Sequence, residues 1–168
     1  MAETLRVTAE DEGGNAMFAR IVVAIDGSPI SDLALQTAFK LAADRSAKVR
    51  MVHVVDVLPP AGLGAEYMDY GAYQESAREA AKEVIAAAVA AARTAKVDAE
   101  PVSIENVSRD TSGEVVAEAK RWGADLIVMG THGRTGLGKL LLGSVADGVI
   151  KHALSPVLLV RQPAPVKG

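Results

Sequence analysis

At 168 residues, 49% apolar and 23% charged, the chain has the length and mix of one globular domain with a sizeable core. A formal charge of −3 and an aromatic content of 4% argue against nucleic-acid binding through a basic field or a base-stacking platform. Cysteine is absent, which excludes disulfides, thiolate metal sites and cysteine nucleophiles and agrees with a reducing cytoplasm.

Residues 1–17 are polar around Glu10-Asp-Glu-Gly-Gly-Asn15 and are expected to form a mobile tail, without the basic-then-apolar plan of a signal peptide. The domain is expected over 18–162, with a short extended tail at 163–168. Residues 20–26 form a continuous β-rich run, as a strand buried on both faces does. Gly27 stops it, Ser28 suits a helix N-cap and Pro29 the first helical position. Leu33, Ala34, Ala38, Leu41 and Ala42 then mark one apolar helical stripe. Residues 48–55 read as the second strand. Residues 56–73 hold Pro59, Pro60, Gly62, Gly64, Gly71 and all three tyrosines, and read as a long loop. The alanine-rich stretch 74–96 predicts a long helix. Residues 101–107 alternate apolar and polar, as a strand with one exposed face or at an edge does.

Thr111-Ser-Gly-Glu114 reads as a capping box opening a third helix, which Gly123 is placed to end with a left-handed cap. Residues 125–129 form a short buried strand. Val145, Val149, Ile150 and Ala153 recur at helical spacing, with Ser144 as the expected cap and Asp147 three residues on. Residues 156–160 make a fifth strand. The longest apolar-looking segment, 84–92, is too short to cross a bilayer. Strands alternating with helices predict an α/β fold: a single-domain, Rossmann-like, open five-stranded parallel sheet with helices on both faces and right-handed crossovers.

Between the fourth strand and the fourth helix runs Gly130-Thr-His-Gly-Arg-Thr-Gly-Leu-Gly-Lys-Leu-Leu-Leu-Gly-Ser144. In the order strand, glycine-rich loop, helix, loose amides and a helix N-terminus form an anion site, most often for phosphate. Glycine is expected there so that phosphate oxygens can approach closely or amides converge at positive φ. Gly133 to Lys139 follows the common phosphate-loop pattern as far as the lysine, but Leu140 stands where a magnesium-holding hydroxyl belongs. The spacing Gly130-x2-Gly133-x9-Gly143-Ser144 fits better. The plain alternative is a surface loop whose glycines merely turn the chain, although so many glycines beside a helix start are costly to order without a ligand.

Gly130-Thr-His-Gly133, Gly143-Ser144-Val145 and Ser155-Pro-Val-Leu-Leu-Val160, with Asp26 after the first strand and Val52-His-Val-Val55 in the second, resemble the universal stress protein family over about residues 18–161. The resemblance implies the strand order 3-2-1-4-5. In that order the winding reverses beside the first strand, and ligands bind at the carboxyl end of such a switch point. It further implies a protein that binds ATP, with magnesium held by the phosphates, and acts as a nucleotide-dependent stress-response module with at most a weak ATPase activity. The binding residues it implies are Ala24, Asp26, Val54 (through the main chain, at the adenine), Met129, Gly130, His132, Gly133, Arg134, Gly143, Ser144 and Val145, with no catalytic residue among them.

Each has a plainer role beside that one. Asp26 would cap the first helix, Val54 would be a core valine, Met129 would line the sheet, and His132 and Arg134 would be ordinary exposed loop residues. His53 reads as structural, with no carboxylate partner in view, and Lys151 and His152 suit the last helix's negative end. Gly148 is expected to weaken that helix by about 1 kcal/mol relative to alanine and to loosen the phosphate site. There is no nucleophile elbow, no serine triad by motif and no zinc-ligand spacing. Two alternatives stand beside the ATP-binding module: a slow ATPase or nucleotide phosphotransferase, and a nucleotide-free dimeric scaffold. Val157, Leu158, Leu159 and Val160 would form an apolar edge, which tends to be covered by another chain. Family members commonly dimerise there, which implies an isologous homodimer.

Overall fold

In the computed structural model, which describes residues 18–58, 69–132 and 142–161, strands and helices alternate: β1 (Arg20–Ala24), α1 (Pro29–Ala43), β2 (Lys48–Asp56), α2 (Tyr70–Ala95), β3 (Ala99–Asn106), α3 (Thr111–Trp122), β4 (Leu126–Gly130), α4 (Ser144–His152) and β5 (Val157–Val160). The five strands form one parallel sheet in the order β3-β2-β1-β4-β5, the order expected. β1 lies at its centre because both of its faces are apolar. Ile21 and Val23 pack with Leu35, Phe39 and Ala88 of α1 and α2, while Val22 packs with Val115, Trp122 and Val149 of α3 and α4. Pro101 is tolerated because β3 is an edge strand, where a missing N–H leaves no ladder bond unmade.

Helix starts are where the chain departs from expectation. Ser28 caps α1 as expected, its hydroxyl accepting from the Ser31 amide at 3.2 Å. α2 begins at Tyr70, four residues early, because the Asp69 carboxylate accepts from the amide of Ala72. Tyr70 and Tyr73 are therefore helical and not loop residues, while Pro59, Pro60, Gly62 and Gly64 lie outside the described residues. The cap of α3 is Asp110, which accepts from the Gly113 amide at 2.8 Å, so Thr111 is the first helical residue and not the cap. α3 does end at Gly123 in the left-handed conformation, φ 70°. In α4 the cap is Gly143, with no side-chain bond, and Ser144 is already helical. Asp147 pairs with Lys151 at 2.7 Å and takes no part in a capping box.

Gly148 also has a different reason from the one expected. A Cβ there would lie 2.3 Å from Ser112 Oγ and 2.6 Å from Ser112 Cβ. The glycine lets α4 press against the first turn of α3, so it tightens the joint where flexibility was expected. At the other end of the strands, the guanidinium groups of Arg20 and Arg50 each lie over the ring of Trp122, 4.6 and 4.7 Å from its centroid. Arg50 also meets the buried carboxylate of Glu118 at 2.6 Å, and Arg121 pairs with the same group. Among the described residues no helix is long and apolar enough to cross a membrane.

Candidate functional site

Past the carboxyl ends of β1 and β4 the chain leaves the sheet in opposite directions, to α1 on one face and α4 on the other. A cleft of about 280 Å³ opens between them. Its walls include Ala24, Asp26, Val54, Met129, Gly130, His132, Gly143, Ser144 and Val145, so the fold brings these predicted residues together. Gly133 and Arg134, with Lys139 and Leu140, lie outside the described residues. A larger cavity of about 410 Å³ lies between α1 and α2, but it touches neither end of the glycine loop.

Asp26 serves a turn and faces the cleft at once. Its Oδ1 accepts from the Ser28 amide at 2.9 Å, and its own amide donates to Ser31 Oγ at 3.0 Å. The turn passes through Gly27 at φ 77°, a conformation that disfavours a side chain, and a Cβ there would lie 2.9 Å from Val84 Cγ2. Across the cleft, Thr131 N–H donates to Val160 O at 2.9 Å and Gly143 N–H to Thr131 O at 2.8 Å, which pins both ends of the glycine loop. At Gly130 the glycine requirement comes from packing: a Cβ would meet Ile30 Cγ2 at 3.0 Å and the His132 carbonyl at 3.1 Å. Gly143 has φ −65°, so positive φ is not what it supplies either.

Three helices aim their positive ends at this cleft, through Ser31 of α1, Thr111 of α3 and Ser144 of α4. The first two are closed by their own caps, Ser28 and Asp110. α4 has no side-chain cap from its N-cap residue, so among the described residues the amides of its first turn are left for another acceptor. In the same wall His132 Nδ1 meets Thr131 Oγ1 at 2.9 Å, while its buried Nε2 has no hydrogen-bond partner among the described residues. An uncapped helix start beside an orphaned imidazole nitrogen is an arrangement that an anion satisfies.

A family model described as the universal stress protein family matches residues 17–161. The chain belongs to the universal stress protein family. A universal stress protein of Methanocaldococcus jannaschii, MJ0531, is 39% identical over 150 residues, covering 89% of this chain and 86% of that one. The crystal structure of a universal stress protein family member from Burkholderia pseudomallei is 34% identical, with a TM-score of 0.69 over 89% of this chain and 98% of that one. The universal stress protein of Archaeoglobus fulgidus, solved in complex with dAMP, is 26% identical, with a TM-score of 0.63 over 86% of this chain and 98% of that one. Mycobacterial relatives are longer, and the chain spans 46% of their length.

This universal stress protein also lines its cleft with residues that were not among the expected binding residues: Ser31, His53, Asp56, Thr111 and Val115. Asp56 is the polar residue that closes β2. Its Oδ1 accepts from Asn106 Nδ2 at 2.7 Å, and the fully buried Asn106 accepts in turn from the amide and hydroxyl of Ser108. The sequence signal for this polar end is a carboxylate closing the apolar β2 and an amide closing the alternating β3. His53 is buried and meets the Ile25 carbonyl through Nδ1 at 2.7 Å, in keeping with its expected structural role. Among the described residues no group of carboxylates and imidazoles is placed to hold a metal ion.

Proposed function

We propose that this universal stress protein binds ATP in the cleft between β1, β4 and α4 and acts as a nucleotide-dependent regulatory module. The observation that carries the reading is the N-terminus of α4: capped by a glycine, bonded to no side chain among the described residues, and opening on the cleft. The phosphates lie on the amides of Gly143, Ser144 and Val145 beside His132. The ribose meets Asp26, and the adenine meets the main chain of Val54. Magnesium, where present, is held by the phosphates. The dAMP complex of the Archaeoglobus relative supports an adenine nucleotide as the ligand class.

Denaturing freshly purified protein and chromatographing the supernatant tests this directly, together with calorimetric titration of ATP into the stripped protein. Release of an adenine nucleotide, or saturable heat at micromolar to millimolar ATP, is expected. No nucleotide released and no heat at millimolar ATP would overturn the reading.

A homodimer through β5 belongs to the same proposal. Ile150 on α4, Leu154 after it and Leu158 on β5 are exposed, Leu154 to 78%. An apolar edge strand beside exposed leucines is what a second copy covers.

A further inference from the structure

We propose that His53 is a positioning residue for the nucleobase: it takes the Ile25 carbonyl out of the sheet ladder and so leaves the main chain of Val54 to a ligand. The inference rests on the nucleotide reading of the cleft. The register between β1 and β2 runs to Ala24 and Val52, and one further bond follows, Ile25 N–H to Val52 O at 2.9 Å. In a regular parallel ladder a residue that donates to one carbonyl accepts from the amide two residues further along the same neighbour. The carbonyl of Ile25 would thus belong to the amide of Val54. It meets His53 Nδ1 at 2.7 Å. A carbonyl can only accept, so Nδ1 carries the proton and donates. His53 is 6% exposed, which holds the ring in place.

The consequence falls on Val54. Val52 directs its carbonyl to β1, so Val54, two residues on, directs both its N–H and its C=O the same way. There β1 has ended, and Gly27 turns the chain off toward α1. What remains, with no partner among the described residues, is an N–H and a C=O side by side in the wall of the cleft. A main-chain pair at such a place needs a partner. Adenine presents the complement, a ring nitrogen that accepts and an exocyclic amine that donates. Hypoxanthine presents the reverse at the same two positions. His53 therefore acts on base selection without touching the base.

The first test uses the unmodified protein. By amide hydrogen exchange, the Val54 amide should exchange at least about tenfold faster than that of Val52 in the nucleotide-free state. ATP should slow it, and inorganic triphosphate should not. The second test compares ATP, ITP and inorganic triphosphate by calorimetry in wild type, His53→Leu and His53→Asn. Wild type should prefer ATP to ITP by about tenfold, the worth of one or two hydrogen bonds. His53→Leu should bring the two to within about twofold while still binding triphosphate. His53→Asn should retain the preference, because its amide nitrogen can stand where Nδ1 stands.

A Val54 amide as protected as Val52 before ligand is added would overturn the proposal, whether or not the variants fold. So would a His53→Leu protein that keeps the wild-type ratio of ATP to ITP. Wild type that binds triphosphate and both nucleotides equally would overturn this inference and leave the phosphate site standing. Wild type that binds none of the three would overturn the nucleotide reading itself.

Discussion

Replacing Gly148 with alanine separates two physical accounts of that glycine by sign. On helix propensity alone, Gly148→Ala should stabilise α4 by about 1 kcal/mol. The packing says otherwise. The new methyl would lie 2.6 Å from Ser112 Cβ, about 1 Å inside ordinary carbon–carbon contact, and 2.3 Å from Ser112 Oγ. Ser112 cannot simply swing away, because its hydroxyl donates to the Asp110 carboxylate at 2.8 Å and its Cβ is fixed to α3. Overpacking costs about 1–3 kcal/mol, and losing the Ser112–Asp110 bond adds about 1 kcal/mol. Subtracting the propensity gain leaves a net loss of about 1–3 kcal/mol, or a fall in Tm of roughly 2–12 °C for a domain of this size. Urea melts of Gly148→Ala, Ser112→Gly and the double variant measure it, and the double variant should recover most of the packing loss. Because α4 presents its first turn to the cleft, the single variant should also weaken ATP binding. A Gly148→Ala protein as stable as wild type, or more so, would refute the packing account.

Three further outcomes follow from the same geometry. Arg50→Met should cost about 3 kcal/mol in urea melts, because it removes one of the two cations on a Glu118 carboxylate that is 1% exposed, and Arg50→Met with Glu118→Leu should recover most of it; a single-variant loss under about 1 kcal/mol would contradict this. The Gly113 amide, and then the Ser112 hydroxyl, hold the Asp110 carboxyl below its ordinary value of 3.8. Its contribution is therefore complete above that value and fades as pH falls through the lower folded one, so thermal melts of Asp110→Asn should show a shallower acid decline than wild type below about pH 4. Leu158→Asp should convert a dimer to a monomer by light scattering at micromolar concentration, and an unchanged mass would remove β5 from the interface.

The sheet was legible because β1, β2, β4 and β5 are written as apolar runs closed by glycine or a charge, and β3 as an apolar–polar alternation. With β1 apolar on both faces, a central place for it follows from burial alone. Helix starts were harder. At Asp110 and Gly143 the residue before the expected cap holds the cap geometry, a one-residue shift that composition cannot resolve when Asp-Thr-Ser or Gly-Ser offers neighbouring candidates. At Asp69 the proline and glycine content upstream masked a helix that begins four residues early. The cleft residues were legible where a glycine spacing or a family resemblance marked them. Asp56 with Asn106, and His53 with Ile25, were not, because the partners stand 50 and 28 residues apart and meet only once β1, β2 and β3 are in register.

That contrast bears on why one helix among three should take the phosphates. A helix dipole favours an anion equally well at α1, α3 and α4, and all three starts reach the cleft. The choice is made by what already occupies the first-turn amides. In α1 the Ser31 amide is held by Ser28 Oγ. In α3 the Gly113 amide is held by Asp110, whose carboxylate also repels an incoming phosphate. At α4 the cap is a glycine that offers neither bond nor charge, and the Ser112–Gly148 contact sets that bare helix start against the capped start of α3. Gly143→Asp would cap α4 as Asp110 caps α3. It should leave the melting temperature unchanged or raised while abolishing calorimetric heat with ATP, and a variant that binds ATP as tightly as wild type would show that the amides of α4 do not hold the phosphates.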